Sequence, residues 1–118
     1  MIFSGGNTVV ISNSNGNASL DSDGGYTHSG GRLVAIMPNG GMTNEATNGN
    51  SSGMTTKSSL SLSANGYLTV TASSSIVLAV KMPCSLTAHV VYLGASNATL
   101  ASSTSVTNTL NTNGVYWS

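Results

Sequence analysis

The sequence predicts an all-β protein, an antiparallel β-sandwich of jelly-roll or Ig-like type with about eight short strands. Three observations support this fold class. Apolar residues do not recur at helical spacing, and Glu, Lys, Gln and Arg, which favour helices, are nearly missing. Short β-branched or alternating runs recur along the chain. Turn signals rich in Gly, Asn and Pro separate these runs at regular intervals, as in sandwiches and barrels.

Two β-branched or apolar runs mark the first strands. Thr8–Ser12 (TVVIS) has Gly and Asn on both sides. Arg32–Met37 (RLVAIM) ends at the turn sequence Pro38-Asn39-Gly40-Gly41. We expect one strand from each run.

The segment from Ser59 to Thr71 predicts a β-hairpin. Its centre is Asn65-Gly66, and both residue types tolerate the positive φ that a two-residue turn requires. Alternation on both sides of the turn places four apolar residues on one inward face: Leu60, Leu62, Leu68 and Val70.

The second half of the chain predicts the remaining strands. Ser75–Lys81 (SIVLAVK) is continuously apolar, so we expect a central strand buried on both faces. Pro83 then interrupts strand pairing, because proline has no N–H to donate to a central ladder. The further strands are predicted at Leu86–Leu93, Ala98–Ser102, Ser105–Leu110 and Val115–Trp117.

Residues 38–57 are the exception to this regular spacing. Gly, Asn and Thr dominate this segment, and Met42 and Met54 interrupt it. A loop of this length within one domain of residues 1–118 indicates a functional segment, so we expect an extended loop or assembly arm. Methionine suits such adaptable contacts. The alternative is a solvent-exposed flexible loop.

Composition and charge exclude several classes of partner. About half of the residues are Ser, Thr, Asn or Gly, only 5% are charged, and the formal net charge is zero. Nucleic-acid phosphates and anionic membranes both require clusters of basic residues, which three Lys and Arg cannot form. A neutral surface gives little electrostatic repulsion between copies, so association is favoured.

Candidate chemical sites are few. Asp21 and Asp23, followed by Gly24, resemble the opening of a calcium loop, but the distal Glu of such a loop is replaced by Arg32. We therefore interpret this segment as a plain turn, with Asp21 and Asp23 as weak metal candidates. We expect no catalytic residues and no cofactor, since the few ionisable groups form no recognisable catalytic arrangement in the sequence.

Zinc binding is the other metal alternative. Cys84, His89 and His28 could supply ligands, but their spacing matches no structural zinc frame. We interpret Cys84 as a small buried residue.

Tyr116 and Trp117 form the most concentrated aromatic feature. Aromatic residues anchor interfaces because they bury a large area and keep a polar group. The alternative is that Trp117 closes one end of the sandwich. Together with Met42 and Met54, this pair forms the predicted interface.

These observations predict a non-enzymatic virion structural protein. We expect a capsid decoration or cement subunit, otherwise a tail or fibre subunit, that binds copies of itself and a major capsid or tail protein. The expected state is a homo-oligomer, with a trimer as first candidate. The first residues lack a secretory signal, which favours assembly in the host cytoplasm. The alternatives are an extracellular adhesin or pilus-like filament subunit and a carbohydrate-binding module.

Overall fold

The computed structural model describes residues 2–11, 26–38, 49–51, 53–95, 97–112 and 114–117. Within these ranges the chain forms strands and no helix. The strands in chain order are β1 Ile2–Ile11, β2 Tyr26–Pro38, β3 Gly49–Ser51, β4 Met54–Leu62, β5 Tyr67–Ala72, β6 Ser75–Lys81, β7 Leu86–Leu93, β8 Thr99–Ser103 and β9 Val115–Trp117.

The strands form two sheets. The first has the order β1-β2-β7-β4, and β3 also pairs with β2. The second has the order β8-β5-β6-β9. The all-β class is therefore confirmed, and the two sheets are consistent with the predicted sandwich.

The expectation of a wholly antiparallel arrangement is wrong for the first sheet. β1 pairs with β2 in parallel, with Val9 opposite Val34 and Ile11 opposite Ile36. β3 is also parallel to β2. Parallel neighbours cannot be joined by a tight turn and need a long connection. Residues 12–25, which link β1 to β2 in sequence, are numerous enough for one.

The main hydrophobic core lies between the two sheets. Ile36 of β2 and Val90 of β7 pack with Leu68 of β5 and Leu78 of β6, and all four side chains are fully buried. Successive side chains of a strand point to opposite faces, so the apolar residues at alternate positions meet across the sheets.

The outward face of the first sheet is buried as well. Leu33, Ala35 and Met37 of β2 pack with Val91 and Leu93 of β7 in a second cluster, and each is at most 2% exposed. These residues alternate with those of the main core. The centre of this sheet is thus buried on both faces, which explains why both strands read as almost continuous apolar runs.

The predicted hairpin at Asn65-Gly66 is wrong. β4 pairs with β7 in the first sheet, whereas β5 pairs with β6 and β8 in the second. Asn65 does adopt a positive φ of 64°, but the turn carries the chain between sheets. Backbone hydrogen bonds of Asn65 and Gly66 with Met82 hold the crossing in place, so turn chemistry alone did not determine the strand partners.

The local hairpin of the second sheet is β5–β6. Its turn residues are Ser73 and Ser74, with φ of 54° and 67°. Two positive φ values in a two-residue loop indicate a type I′ turn, for which Asn-Gly is the favoured sequence. Serine gives no such signal, which is why the sequence did not predict this hairpin.

Replacing Ser73-Ser74 by Asn-Gly should stabilise the protein. We expect the free energy of unfolding to rise by about 1 kcal/mol, because the left-handed conformation is strained for serine. Urea unfolding would measure this change in the free energy of unfolding. The control is Ser61→Gly, in the exposed part of β4. It should instead lower stability by about 0.5 to 1 kcal/mol, and equal effects in both variants would contradict the turn assignment.

Two further segments differ from the sequence prediction. Residues 105–110 are outside the strands, and the Ser103 hydroxyl donates to the Ser105 carbonyl at 2.7 Å, a local bond where the strand was expected. The expected loop over residues 38–57 contains strand at both ends, because Pro38 ends β2, β3 covers Gly49–Ser51 and β4 begins at Met54. Residues 39–48 and 52 lie outside the described residues.

A close backbone contact joins β2 to β1. The ladder between them shifts register around Ser4 to Asn7, and Gly31 of β2 lies against this bulge with φ of 76°. A Cβ atom at Gly31 would lie 2.5 Å from the carbonyl carbon of Gly5 and 2.6 Å from the carbonyl oxygen of Gly6. This position requires glycine for both its conformation and its space.

Candidate binding cleft

A cleft opens on one side of the sandwich, between β1 of the first sheet and β6 and β9 of the second. Its volume is about 580 Å³, within the usual range for ligand pockets. The described residues that line it combine apolar and nitrogen-bearing side chains: Asn7, Val9, Ile11, Val80, Lys81, Pro83, Asn111, Val115 and Trp117.

Arg32 joins the two sheets beside this cleft. Its guanidinium carbon lies 5.0 Å from the centre of the Trp117 ring, a cation–π distance. Its Nε–H donates to Asn7 Oδ1 at 3.2 Å, and Nη1 lies 3.5 Å from the Val77 carbonyl oxygen. One side chain of β2 therefore contacts β1, β6 and β9.

Arg32 also affects the pKa of Tyr92 in β7. Burial raises the pKa of the Tyr92 phenol, and the positive charge and hydrogen bond of Arg32 act in the opposite direction. This contact extends the Arg32 network into the main core, where Tyr92 is 2% exposed.

The hydrogen bonds fix the orientation of two amides in the lining. Arginine can only donate, so the Asn7 atom that faces Arg32 is its oxygen. The Val115 N–H donates to Asn111 Oδ1 at 3.1 Å, which identifies the oxygen of the second amide. In both residues the amide oxygen accepts a hydrogen bond from another group of the protein.

Lys81 also contributes to the lining of the cleft. It is exposed at the end of β6, and its backbone N–H donates to the Gly114 carbonyl at 2.8 Å. That bond connects β6 to the turn before β9, in which the Gly114 N–H donates to the Asn111 carbonyl. Lys81 and Asn111, though 30 positions apart in sequence, thus line the same cleft.

The structure separates the two predicted aromatic interface residues. Trp117 is half-buried, packs against the main core and contributes to the cleft. Tyr116 lies between Val115 and Trp117 on a three-residue strand, so its side chain points to the opposite face. They do not form one aromatic patch.

The other predicted site residues are dispersed or outside the described ranges. Met54 is half-buried and packs against the outward-face cluster of the first sheet. The remaining three, Met42, Asp21 and Asp23, lie outside the described residues. Sequence reasoning missed Asn7, Lys81 and Asn111 as lining residues, because none belongs to a motif.

His28, His89 and Cys84 do not come together as metal ligands. Across the described ranges, no group of three or more His, Cys, Asp or Glu side chains could hold a metal ion. His28 Nε2 lies 2.8 Å from the Gly31 carbonyl oxygen, and His89 Nδ1 lies 3.0 Å from the Ser58 hydroxyl. Cys84 is half-exposed, whereas we expected a buried residue.

The burial of His89 predicts that the stability of the fold depends on pH. It is 9% exposed, its Nε2 has no hydrogen-bond partner, and burial lowers its pKa from the ordinary value of 6.5. Below that value the unfolded chain binds more protons than the folded chain, so stability must fall as the pH falls.

We expect chemical denaturation to give a lower free energy of unfolding at pH 5 than at pH 7.5. His89→Leu should reduce this difference, because the variant has no imidazole to protonate at this position. The same pH dependence in the variant and the parent protein would show that other groups cause it.

Comparisons with protein-family models, curated proteins and solved structures gave no match to this chain. In the part of the chain that the structure describes, no helix has the length and hydrophobicity needed to span a membrane.

Proposed function

We propose that this chain is a non-enzymatic structural subunit of a virus or phage particle that assembles through its sheet edges. A capsid decoration or cement subunit is the first candidate, and a tail or fibre subunit the next. Its partners are copies of itself and a major capsid or tail protein, with assembly in the host cytoplasm and a trimer as the first oligomer to test.

The observation that carries this proposal is the open edge of β8. Among the described strands, β8 pairs with β5 alone, over five residues with an unbroken register. Unprotected strand edges can pair with another chain, and proteins usually block them with charges, proline, bulges or very short strands. β8 has the sequence TLASS, without a charged residue or proline.

The other edge strands carry at least one protective feature. β1 and β4 both contain register shifts, and β4 also carries Lys57. β3 and β9 are each only three residues long. The contrast makes β8 the edge best suited to add a strand from a neighbouring subunit.

The exposed surface supports association as well. Lys57 and Lys81 are the charged residues among the exposed positions that the structure describes, and Ser, Thr and Asn dominate the rest. Such a surface offers hydrogen-bonding groups and little charge repulsion between copies.

The jelly-roll or Ig-like class of the sandwich belongs to this proposal. Crossings between sheets support it: the chain passes from β4 to β5, from β6 to β7 and from β7 to β8, each time changing sheet. Both fold classes connect two sheets in this manner.

Light scattering across a dilution series in moderate salt tests the assembly. We expect a defined mass that is a multiple of the subunit mass. Ser102→Lys places a charge on the open edge and should shift the mass towards the monomer. Thr107→Lys, which adds the same charge at an exposed position outside the strands, should leave the mass unchanged. A stable monomer at every concentration would contradict self-assembly.

A carbohydrate-binding module is the second candidate, and the cleft beside Trp117 favours it. The half-buried ring of Trp117, next to the side-chain amide of Asn7, suits a ligand with both apolar and polar faces. The third candidate is an extracellular adhesin or pilus-like filament subunit. In such a filament the open edge of β8 would pair with a strand of the next subunit.

A further inference from the structure

The carbonyl groups of β8 show which side of the strand is already paired. The Thr69 hydroxyl of β5 donates to the Ala101 carbonyl at 3.4 Å. A Cβ atom at Gly66, the residue before β5, would lie 3.3 Å from the Ser103 carbonyl oxygen. The carbonyls of Ala101 and Ser103 therefore point towards β5, on the inner side of the sheet edge.

The backbone groups of Leu100 and Ser102 face the open edge. Successive residues of a strand direct their N–H and C=O groups to opposite sides, and these two residues alternate with Ala101 and Ser103. Among the described strands, none pairs with β8 on this side, and the Ser102 side chain is exposed. Leu100 and Ser102 thus offer two donors and two acceptors to an incoming strand.

A second copy of β8 matches this pattern of donors and acceptors. In an antiparallel pair centred on Ala101, Leu100 of one copy lies opposite Ser102 of the other. The groups that face the edge then form four hydrogen bonds, two on each side of a twofold axis through Ala101. Thr99 lies opposite Ser103 of the second copy, so all five residues of β8 have a partner.

The neighbouring registers leave part of β8 unpaired. Antiparallel registers that keep the edge groups opposite each other differ by steps of two residues. One such step brings Ala98 into the ladder, but its N–H already donates to the Thr55 hydroxyl at 3.2 Å. The opposite step brings in Thr104, which lies in a bend after the end of β8. The register centred on Ala101 is therefore the most favourable.

The side chains that would meet across this pair are compatible. Ala101 opposes its own copy, and this small neutral pair needs little space. Thr99 opposes Ser103, and cross-strand hydroxyl pairs of this kind are favourable. β8 has no charged residue, so no like charges lie opposite each other in the new ladder.

The adjacent edge of the first sheet places its charge away from the axis. β4 runs beside β8 in the same direction, since Thr55 contacts Ala98 and Ser61 lines the same shallow depression as Ser103. Lys57, the charged residue of β4, lies nearer the Thr55 end. A twofold axis through the centre of β8 puts the two copies of Lys57 at opposite ends of the contact.

We propose that β8 pairs in antiparallel fashion with β8 of a second copy, about a twofold axis through Ala101. Each second sheet has four strands, so the pair forms one continuous sheet of eight. The contact is isologous, and it closes a dimer because both open edges are used. This inference rests on the proposed assembly and names the partner and register of the β8 edge, whereas a trimer requires a different interface.

Oxidative cross-linking of cysteine variants tests the register, in a parent protein that carries Cys84→Ser. Ala101→Cys places two thiols at the axis, in a pair whose Cα atoms are about 4.5 Å apart, a distance that a disulfide can span. With oxidised glutathione as the oxidant, we expect the chain mass to double on a non-reducing gel.

Thr99→Cys is the matched control on the same strand and the same face. In the proposed register the two copies of Thr99 are four residues apart along the strands, about 14 Å, so this variant should keep the mass of a single chain. A mixture of Thr99→Cys and Ser103→Cys chains should cross-link, because these positions lie opposite each other.

Light scattering on the same samples separates this inference from the assembly proposal. A trimer, a dimer without the Ala101 cross-link, or equal cross-linking of the Ala101 and Thr99 variants would overturn the β8 pairing and leave assembly in place. A monomer at every concentration, without a cross-link at Ala101, would contradict both.

Discussion

Gly31→Ala should destabilise the protein by about 3 kcal/mol or more, the largest effect that we expect from a single methyl group. Alanine is strained at a φ of 76°, and its Cβ would meet the backbone of Gly5 and Gly6 at 2.5 to 2.7 Å. Backbone atoms cannot move aside as a flexible side chain can, so β1 would have to separate from β2 at this point.

The neighbouring glycines provide a graded set of controls. Gly6 has a φ of 79° but open space around its Cβ position, so Gly6→Ala should cost only about 1 to 2 kcal/mol. Gly5 has open space and no left-handed φ, so Gly5→Ala should be neutral or stabilise by up to about 1 kcal/mol. Urea denaturation of the three variants measures the series. Equal effects at all three positions would contradict the contact between β1 and β2.

Leu33→Ala should cost about 2 to 5 kcal/mol, the range for a buried leucine in a closely packed core. Leu33 is 2% exposed although it lies on the face of the first sheet that points away from the second. In a simple two-layer sandwich this face would be exposed to solvent, and the truncation would have little effect.

Leu110→Ala is the matched control. Leu110 is half-exposed and lies outside the strands, so its truncation should cost less than about 1 kcal/mol. Thermal or urea unfolding of both variants measures the difference. A Leu33 variant no less stable than the Leu110 variant would show that the outward face is not part of a core.

Local sequence patterns were sufficient to predict many strands but not their partners. Ser75–Lys81, Leu86–Leu93 and Val115–Trp117 have the bounds expected from their apolar or aromatic composition. The partner of each strand depends on packing across the sheets. Thus Asn65-Gly66, the strongest hairpin signal in the sequence, connects two sheets, while the Ser73-Ser74 hairpin had no signal.

The candidate cleft was even less accessible to sequence reasoning. Trp117 was identified as an aromatic anchor, but Arg32, which covers its ring, is far from it in sequence. Asn7 is 25 positions from Arg32, and the two meet because β1 and β2 are neighbours in a parallel pair. A prediction that assumed antiparallel neighbours throughout could not bring these residues together.

The ladder between β2 and β7 has a consequence for folding kinetics. It joins Leu33 to Leu93 and Pro38 to Ala88, so the central pair of the first sheet can form only after distant parts of the chain meet. The β5–β6 hairpin needs only a two-residue loop. We expect this hairpin to form early and the first sheet late, with overall refolding in about milliseconds to seconds, as is usual for folds built on non-local pairing.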